Sequence, residues 1–340
     1  MIDLAASHRH YLQHLLPVWR AIPAEIRGDA YVTNELRRFL PSLPIEGLGA
    51  QGPVTLIAGF DDLRKVGARP AILMEHGCGQ SYGGDQISGR HPAYSGGDGR
   101  HGIVGFLCPN EYAAERNRAK QPEAFVKVIG SPRLASLQGI PPAPPPDEIP
   151  TVAVSFHWDC TVCHETMSAW RHWAGAVAKL AESGKFKVLG HAHPRMFRDL
   201  APTYRDMGIE PVESFDEILM RAHVYCCDNS SSMYEFAALR GPVVVLDCPW
   251  YRVNVHHGLR YWDAADIGPR IIEPLALPGA ITAALSKQPW PGAEAILARV
   301  FPPVGDPAQA AADAAVEAAG LTGSMKSRSP IRFPRTAPIS

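Results

Sequence analysis

The sequence predicts an α/β protein with two parallel-sheet domains that face each other across a central cleft. With 340 residues, the chain is longer than one hydrophobic core usually organises. A proline-rich run at 139–150 divides it, because proline can neither continue a helix nor donate a hydrogen bond in a central strand. On both sides of that run, short apolar segments alternate with segments of helical periodicity, which is typical of parallel sheets with right-handed crossovers.

The composition is that of a folded globular protein. Hydrophobic residues make up 46 % of the chain and charged residues 20 %, which is enough apolar material for two cores. The formal net charge of -1 gives no overall field to attract nucleic acid or an anionic membrane. No apolar run is long enough to span a bilayer, and the N-terminus lacks the basic start and apolar stretch of a secretion signal. We therefore predict a cytoplasmic protein.

The seven cysteines indicate reduced thiols, since their number is odd and Cys108, Cys226, Cys227 and Cys248 lie in apolar segments. The motif Cys160–His164 matches the attachment pattern of c-type haem, but that chemistry requires export. A zinc site needs a second pair of ligands at suitable spacing, and the sequence offers no obvious one. We interpret the motif as two thiols at the start of a helix, and we predict neither a metal nor a bound cofactor.

The alternation is most regular after the proline-rich run. Strands are predicted there at 151–156, 186–189, 209–212, 223–227 and 242–247, and helices at 165–183, 196–207, 215–222 and 231–240. The unbroken apolar character of 242–247 indicates a strand buried on both faces.

The part before the run is less regular. Strands are predicted at 54–58, 71–74, 103–107 and 125–129, with a polar helix at 110–121. The glycine-rich segment at 77–102 is long for a connection inside a compact domain, which favours a functional loop. Late helices are predicted at 293–300 and 308–319. The predicted division is one Rossmann-like domain at 1–138, a linker at 139–150, a second Rossmann-like domain at 151–320 and a disordered basic tail at 321–340.

The strongest local signal joins a predicted strand to a predicted helix, at Cys227–Glu235. Its consecutive serines, Ser230, Ser231 and Ser232, would offer backbone N–H groups, hydroxyls and the positive end of a helix dipole to a phosphate or diphosphate. Glu235 lies one helical turn after Ser231, so its carboxylate can accept hydrogen bonds from two hydroxyls of a ribose or sugar. The alternative interpretation is an ordinary serine N-cap with an exposed glutamate.

A histidine ends another predicted strand. His76 follows the strand at 71–74 and precedes Gly77, where open parallel sheets hold active-site groups. Histidine titrates near neutral pH, so His76 can take a proton from an attacking hydroxyl. The alternative is a structural histidine bonded to loop backbone.

Other polar residues follow strands in the same way. His193 and Arg195 can neutralise charge on a leaving phosphate, and His157 follows the first strand of the second domain. Arg133, where the chain turns toward the linker, is expected to brace the domain junction. The pair His191–His193 has no carboxylate or thiol nearby in sequence, which argues against a metal site.

Taken in order, these segments resemble the CDP-glycerol glycerophosphotransferase family of wall teichoic acid synthesis. His76–Gly77 is similar to its His-Gly motif, Gly130–Arg133 to its Gly-x-Pro-Arg stretch, and Ala192–Pro194 to its His-Pro motif. Ser155–Trp158 stands where the family has a Pro-Thr-Trp-Arg-like segment, and Asp228–Ser231 resembles its Asp-Tyr-Ser-Ser. More distantly, residues 230–235 resemble the Ser-Gly-Gly-x-x-Glu motif of UDP-N-acetylglucosamine 2-epimerases.

The resemblance implies a GT-B fold, with an N-terminal acceptor domain and a C-terminal nucleotide-donor domain. It implies His76 and His193 as the catalytic histidines and no metal at the chemical step. The residues predicted to bind the donor are Gly77, His157, Arg195, Asn229, Ser230, Ser231, Ser232 and Glu235. Asn229 stands where the family has tyrosine, and the chain lacks the basic amphipathic segment of a membrane-associated polymerase. A sugar and glycerol phosphate therefore both remain open as the transferred group.

The predicted reaction is a direct displacement from a UDP-, CDP- or GDP-linked donor, with His76 as general base and domain closure excluding water. The acceptor hydroxyl belongs to a glycan, a lipid-linked polymer or a modified DNA base, and the basic tail is the feature that supports DNA. Two further functions stay open: a nucleotide-sugar epimerase on the same fold, and a non-catalytic module that binds a nucleotide or glycan.

Overall fold

The computed structural model describes residues 1–45, 53–67, 69–78, 81–82, 93–94, 102–146, 149–159, 167–251, 265–287 and 289–320. The Cys160–His164 motif, the tail at 321–340 and most of the glycine-rich segment at 77–102 lie outside the described residues. The predictions made for them stay predictions.

The first sheet is entirely parallel. The strands of this part of the chain are β1 (Ile2–Ala6), β2 (Arg27–Val32), β3 (Leu43–Pro44), β4 (Val54–Ile57), β5 (Ala71–Met74), β6 (Ser81–Tyr82), β7 (Ala93–Tyr94), β8 (Ile103–Cys108) and β9 (Phe125–Val128). Seven of them form a sheet in the order β3-β2-β1-β4-β5-β8-β9, while β6 and β7 pair with each other as antiparallel strands.

The second sheet is parallel as well. Its strands are β10 (Thr151–Phe156), β11 (Lys187–Ala192), β12 (Glu210–Pro211), β13 (Val224–Cys227), β14 (Val243–Leu246) and β15 (Arg270–Ile271). They lie in the order β12-β11-β10-β13-β14-β15. The chain reverses direction across the sheet between β10 and β13, and in the first sheet between β1 and β4. Ligands of such sheets bind at these points, beyond the carboxyl ends of the strands.

Helices connect the strands. They are α1 (Arg9–Ala21), α2 (Phe60–Val66), α3 (Glu111–Lys120), α4 (Pro132–Leu137), α5 (Trp170–Glu182), α6 (Pro194–Asp206), α7 (Phe215–Arg221), α8 (Ser232–Leu239), α9 (Leu277–Ser286), α10 (Ala293–Val300) and α11 (Pro307–Ala318). Among the described residues, Asn34–Phe39 and Pro274–Ala276 form 3₁₀ helices. Within the described residues, no helix is both long and apolar enough to cross a membrane.

Several helices begin where the sequence provides a cap. The Asn110 side chain accepts from the Ala113 N–H at 3.1 Å, and the Ser131 hydroxyl accepts from the Leu134 N–H at 3.1 Å. Proline follows as the first helical residue at Pro132, where the missing N–H costs nothing. These caps fix the direction in which each helix leaves the carboxyl edge of its sheet.

The predicted α/β class with two parallel sheets is confirmed. Every predicted strand is present, with bounds that differ by no more than three residues. The elements β1, α1 and β2 were not predicted from the sequence. The domain boundaries stay a prediction, but α11, late in the chain, packs into the core of the first sheet through Ala311, Ala312 and Ala315. Small side chains allow this close approach, since a Cβ added at Gly105 would lie 2.8 Å from the Ala318 Cβ.

Candidate active site

His76 lies two residues after the carboxyl end of β5. Its Nδ1 lies 2.6 Å from the carbonyl oxygen of Ala58, the residue directly after β4. Because a carbonyl only accepts, Nδ1 carries the proton, and the neutral ring keeps its lone pair on Nε2. The next residue, Gly77, has a φ of 92°, a conformation that glycine adopts without strain. The chain therefore turns sharply away directly after the imidazole.

Tyr11, on α1, packs against the His76 ring, with 4.7 Å between their centroids. This packing depends on Gly59, where an added Cβ would lie 2.2 Å from the tyrosine ring. The glycine thus lets an aromatic ring lie flat against the end of β4 and hold the histidine in place.

Three more histidines lie close by and were not predicted as site residues: His8, the N-cap of α1, and His10 and His14 within that helix. The His10 ring lies 5.7 Å from His76 and 5.6 Å from His193, measured between centroids. The His14 ring lies 6.0 Å from that of His76. A signal was present: His10 and His14 are four residues apart and therefore share one face of a helix. This spacing could not be interpreted, because helix α1 was not predicted.

His193 supplies the opposite wall. It is the N-cap of α6, where its Nδ1 accepts from the Arg195 N–H at 3.2 Å and its own N–H donates to the Phe156 carbonyl at 2.9 Å. The His157 ring lies 5.0 Å away and the Trp158 ring 6.1 Å away, again between centroids. The residues that follow β10 and β11 thus meet in front of the first sheet.

The carboxylate of Asp228, at the end of β13, ties these loops together. It accepts from the His157 N–H at 2.8 Å and from the Ala169 N–H at 3.1 Å. Its neighbour Asn229 donates to the Tyr251 hydroxyl at 2.8 Å. Asp228 is fully buried, so it holds the backbone of the site and does not face the cleft.

The serine-rich turn joins β13 to α8. Ser231 is the N-cap, but in the described structure its side chain makes no capping hydrogen bond. The Ser230 and Ser232 hydroxyls lie 2.9 Å apart, and Ser232 lies 2.8 Å from the Tyr225 hydroxyl. The Tyr225 oxygen in turn lies 3.4 Å from Nδ1 of His191. A buried chain of polar groups therefore lies behind the turn.

Glu235 is buried, only 9 % exposed, one turn into α8. Burial raises its pKa to about 7, the Arg133 guanidinium opposes the rise and the Asp216 carboxylate adds to it. The interpretation of an ordinary N-cap with an exposed glutamate is therefore wrong. Arg133, on α4, forms an ion pair with Asp216, on α7. This pair joins α4, before the proline-rich run, to α7, after it, as expected for a residue that braces the junction.

A second ion pair crosses the cleft. The Arg195 guanidinium donates to the Asp61 carboxylate, on α2, at 2.7 Å, and it lies 4.8 Å from the centre of the Trp158 ring. Arg195 is therefore at the mouth of the site, held between a carboxylate of one half and an aromatic ring of the other.

Burial keeps the histidines of the cleft neutral. It lowers the pKa of His76 to about 4, against the hydrogen bond to Ala58, with Arg195 and His8 adding repulsion. It also lowers the pKa of His10, His14 and His193 well below the usual value, and each of these rings is further repelled by His76. The rings of His10, His14, His76 and His193 are therefore uncharged at neutral pH.

The structure places His76, His193, His157 and the serine-rich turn directly after the carboxyl ends of strands in the two sheets. His76 and His193 are linked through His10, and His193 leads through His157 to the turn at 228–232. Among the described residues, no three His, Cys, Asp or Glu side chains are grouped so as to hold a metal ion.

Comparison with known proteins identifies the fold. No protein-family model matches the sequence, and no curated protein matches it. Several solved structures, however, are similar to the structure of this chain. The wall teichoic acid polymerase TagF is 12 % identical with a TM-score of 0.59, over 96 % of this chain and 90 % of that one.

Two structures determined with UDP are similar to the same degree. UDP-GlcNAc 2-epimerase of Methanocaldococcus jannaschii, in complex with UDP-GlcNAc and UDP, is 14 % identical with a TM-score of 0.60, over 91 % of this chain and 97 % of that one. The S. aureus MnaA–UDP structure is 12 % identical with a TM-score of 0.58, over 98 % and 99 %. The chain has a GT-B fold, and the predicted distant similarity to both families is confirmed. This fold is one that enzymes of nucleotide-linked substrates use.

Proposed function

We propose that the protein is a transferase, which moves a sugar or glycerol phosphate from a nucleotide-activated donor to an acceptor hydroxyl. One observation carries the proposal. His76, which follows a strand of the first sheet, and His193, which follows a strand of the second, both lie beside His10, each with its ring centroid less than 6 Å from that of His10. Open parallel sheets bind ligands at this edge, and the crevice is lined by groups able to move a proton and to neutralise a phosphate.

The donor's diphosphate lies on the serine-rich turn. Backbone N–H groups at the start of α8, the Ser231 hydroxyl and the helix dipole all favour negative charge there. Glu235 is one turn further on and accepts from hydroxyls of the ribose or of the transferred sugar. His157, His193 and Arg195 surround the phosphates from the side and stabilise the charge of the departing nucleotide.

His76 acts on the acceptor. Its Nε2 lone pair takes the proton of the acceptor hydroxyl as that oxygen forms its bond to the transferred group. The bond between that group and the nucleotide phosphate breaks, and the electron pair leaves with the nucleotide. A base with a pKa of about 4 is weak, but the diphosphate beside it raises this pKa toward neutrality. The donor therefore activates the base that serves the acceptor, and no metal ion or cofactor is needed.

A nucleotide-sugar epimerase is the second candidate. The similarity to a UDP-GlcNAc 2-epimerase structure, in complex with UDP-GlcNAc and UDP, favours it. An epimerase converts its substrate without any acceptor, whereas a transferase needs one.

The test begins with a screen of UDP-, CDP- and GDP-linked donors for thermal stabilisation of the full chain. Stabilising donors are then incubated with and without acceptors, after treatment with EDTA, and the products are separated. Release of nucleotide that depends on an acceptor supports the transferase. Turnover without acceptor indicates the epimerase, and binding without turnover indicates a non-catalytic module.

A histidine substitution tests the base. His76→Ala should lower turnover by roughly 100- to 10,000-fold with less than tenfold loss of donor affinity. His223→Ala is the control, because His223 lies before β13, at the opposite edge of the sheet, where it contacts Thr151 and Pro144. Near-normal turnover of the His76 variant would remove the base assignment.

A further inference from the structure

We infer that His10 is a third anion-binding histidine of the cleft, and that it takes up a proton from solvent when a nucleotide diphosphate binds. The inference rests on the proposed function, since that function places a diphosphate beside His10. It goes further in naming a residue on α1 and a proton that moves on binding, before any chemical step.

The position of His10 carries the argument. Its ring lies between His76 of the first half and His193 of the second, with centroids at 5.7 Å and 5.6 Å. The Tyr11 ring, 4.3 Å away, supports it from its own helix. An anion that contacts His193 is therefore close enough to contact His10 as well.

His10 also has an unused polar atom. Its Nδ1 is buried and has no hydrogen-bond partner among the residues that the structure describes. A buried polar atom without a partner costs about 1 to 3 kcal/mol, so such atoms are uncommon unless a ligand or water completes them. A protonated ring would donate this N–H to a phosphate oxygen.

The groups around His10 explain why it is neutral before binding. Burial lowers its pKa, and His76, His193, His8 and His14 add repulsion. Charged groups nearby also shift the pKa values of these four rings. Arg195 lowers those of His8, His76 and His193, Arg133 lowers that of His14, and Lys65 lowers that of His8. The carboxylates oppose this effect, since Glu35 raises the pKa of His8 and Asp61 raises those of His8 and His76. A diphosphate bound beside His10 would add negative charge there and so favour the protonated form of its ring.

The sign of the pH dependence follows. A ring that is neutral in the free protein and protonated in the complex makes binding weaker as pH rises, by up to about tenfold per pH unit for each proton. An anion site built from arginine or lysine would hold its affinity over the same range, because those side chains stay charged.

Isothermal titration calorimetry measures the proton directly. UDP, CDP, GDP and inorganic pyrophosphate are titrated at pH 7 into the full chain, in buffers of different ionisation enthalpy. We expect an uptake of about one proton or more per bound anion. In His10→Gln, which keeps a polar side chain of similar size, the uptake should fall by about one proton. His223→Gln, the same change at the opposite edge of the sheet, should keep the wild-type uptake.

The possible outcomes test the role of His10 and the proposed transferase function separately. Binding of a nucleotide without proton uptake, or an uptake that His10→Gln leaves unchanged, overturns the inference and leaves the proposed transferase standing. Uptake through His10 with pyrophosphate, together with no turnover of any nucleotide-linked donor, removes the transferase and keeps the anion site. Failure of all four anions to bind removes both.

A measurement on the wild-type protein covers the case in which His10→Gln does not fold. The ¹³C-labelled imidazole signals are followed by NMR with and without pyrophosphate at pH 7. A histidine signal that moves from the neutral to the protonated position, assigned to His10 by its contacts with both Tyr11 and His193, supports the inference. An unmoved His10 signal in a saturated complex contradicts it.

Discussion

Arg195 and Asp61 join the two halves of the molecule through a hydrogen bond of 2.7 Å between guanidinium and carboxylate. The two residues are 134 positions apart, and each lies at the start of a helix that follows a strand of its own sheet. Arg195 is the cation that the sequence assigned to the leaving phosphate. Arg195 is paired with Asp61, so a donor phosphate would compete with this carboxylate for one guanidinium.

Asp61→Asn should therefore tighten nucleotide binding. Removing the carboxylate frees Arg195 and takes away a negative charge near the phosphates, which should lower the Kd by about three- to tenfold at low salt. Since both side chains are partly exposed, the free energy of unfolding should change by less than about 1 kcal/mol. Calorimetric titration and urea unfolding measure the two quantities.

The matched control for this change is Glu210→Gln. It breaks a similarly exposed ion pair, that of Arg221 with Glu210 at the edge of the second sheet. Nucleotide affinity should be unchanged there. A weaker affinity in Asp61→Asn would mean that the ion pair holds the cleft in its binding shape, contrary to the competition described above.

The second half of the site was predictable because it follows from short-range patterns. Apolar runs end at His157, His193 and Asp228, and a polar residue after a parallel strand must lie at the carboxyl edge of the sheet. His76 follows the same rule in the first sheet. Apolar periodicity therefore located four of the loops that form the cleft without any knowledge of their contacts.

The start of the chain was not predictable in that way. β1 has Asp3 in its interior, and a buried carboxylate breaks the apolar run that marks a strand. Asp3 is satisfied by Arg69 and by the N–H of Asp29, both distant in sequence. Without β1, nothing marked α1 as the helix after a switch-point strand, and its histidines carried no meaning. Tertiary contacts decide such residues, and local propensity does not reveal them.

Glu235 should make the protein less stable at neutral pH than at mildly acidic pH. A pKa raised from 4.5 to about 7 means that the folded state binds a proton that the unfolded state releases. Stability should therefore fall as pH rises through the window from 4.5 to about 7 and stay level above it, with a full cost of roughly 3 kcal/mol.

Glu235→Gln should remove this pH dependence. The variant should be more stable than wild type at pH 8 by about 1 to 3 kcal/mol in urea unfolding, and of similar stability at pH 5. Its nucleotide affinity should drop, because an amide accepts weaker hydrogen bonds from hydroxyls than a carboxylate does. Glu217→Gln, on the surface of α7, should show neither effect. A wild-type protein with constant stability between pH 5 and 8 would contradict the assignment.

Gly59→Ala should disturb the histidines through Tyr11. The φ and ψ of Gly59, -130° and 144°, suit alanine, so the cost is steric: the new Cβ would lie 2.2 Å from the tyrosine ring. We expect a loss of about 1 to 3 kcal/mol in stability and weaker nucleotide binding, as Tyr11 moves against His76. Gly175→Ala is the control, since open space surrounds Gly175 within α5. It should gain about 0.5 to 1 kcal/mol. Equal effects of the two changes would show that Tyr11 does not transmit the substitution.

Tyr225→Phe should weaken nucleotide binding from behind the serine-rich turn. The Tyr225 hydroxyl lies 2.8 Å from the Ser232 hydroxyl and is buried, so its removal frees the serines to reorient, and the Kd should rise about three- to tenfold. Tyr204→Phe is the matched control, because its equally buried hydroxyl donates to the backbone carbonyl of His191 at 2.9 Å and not to the turn. Both variants should lose about 1 kcal/mol in urea unfolding, since each loses a buried hydrogen bond. A Kd that changes equally in both would place the effect in general stability, whereas a rise confined to Tyr225→Phe would assign the orientation of the serine hydroxyls to the polar chain behind them.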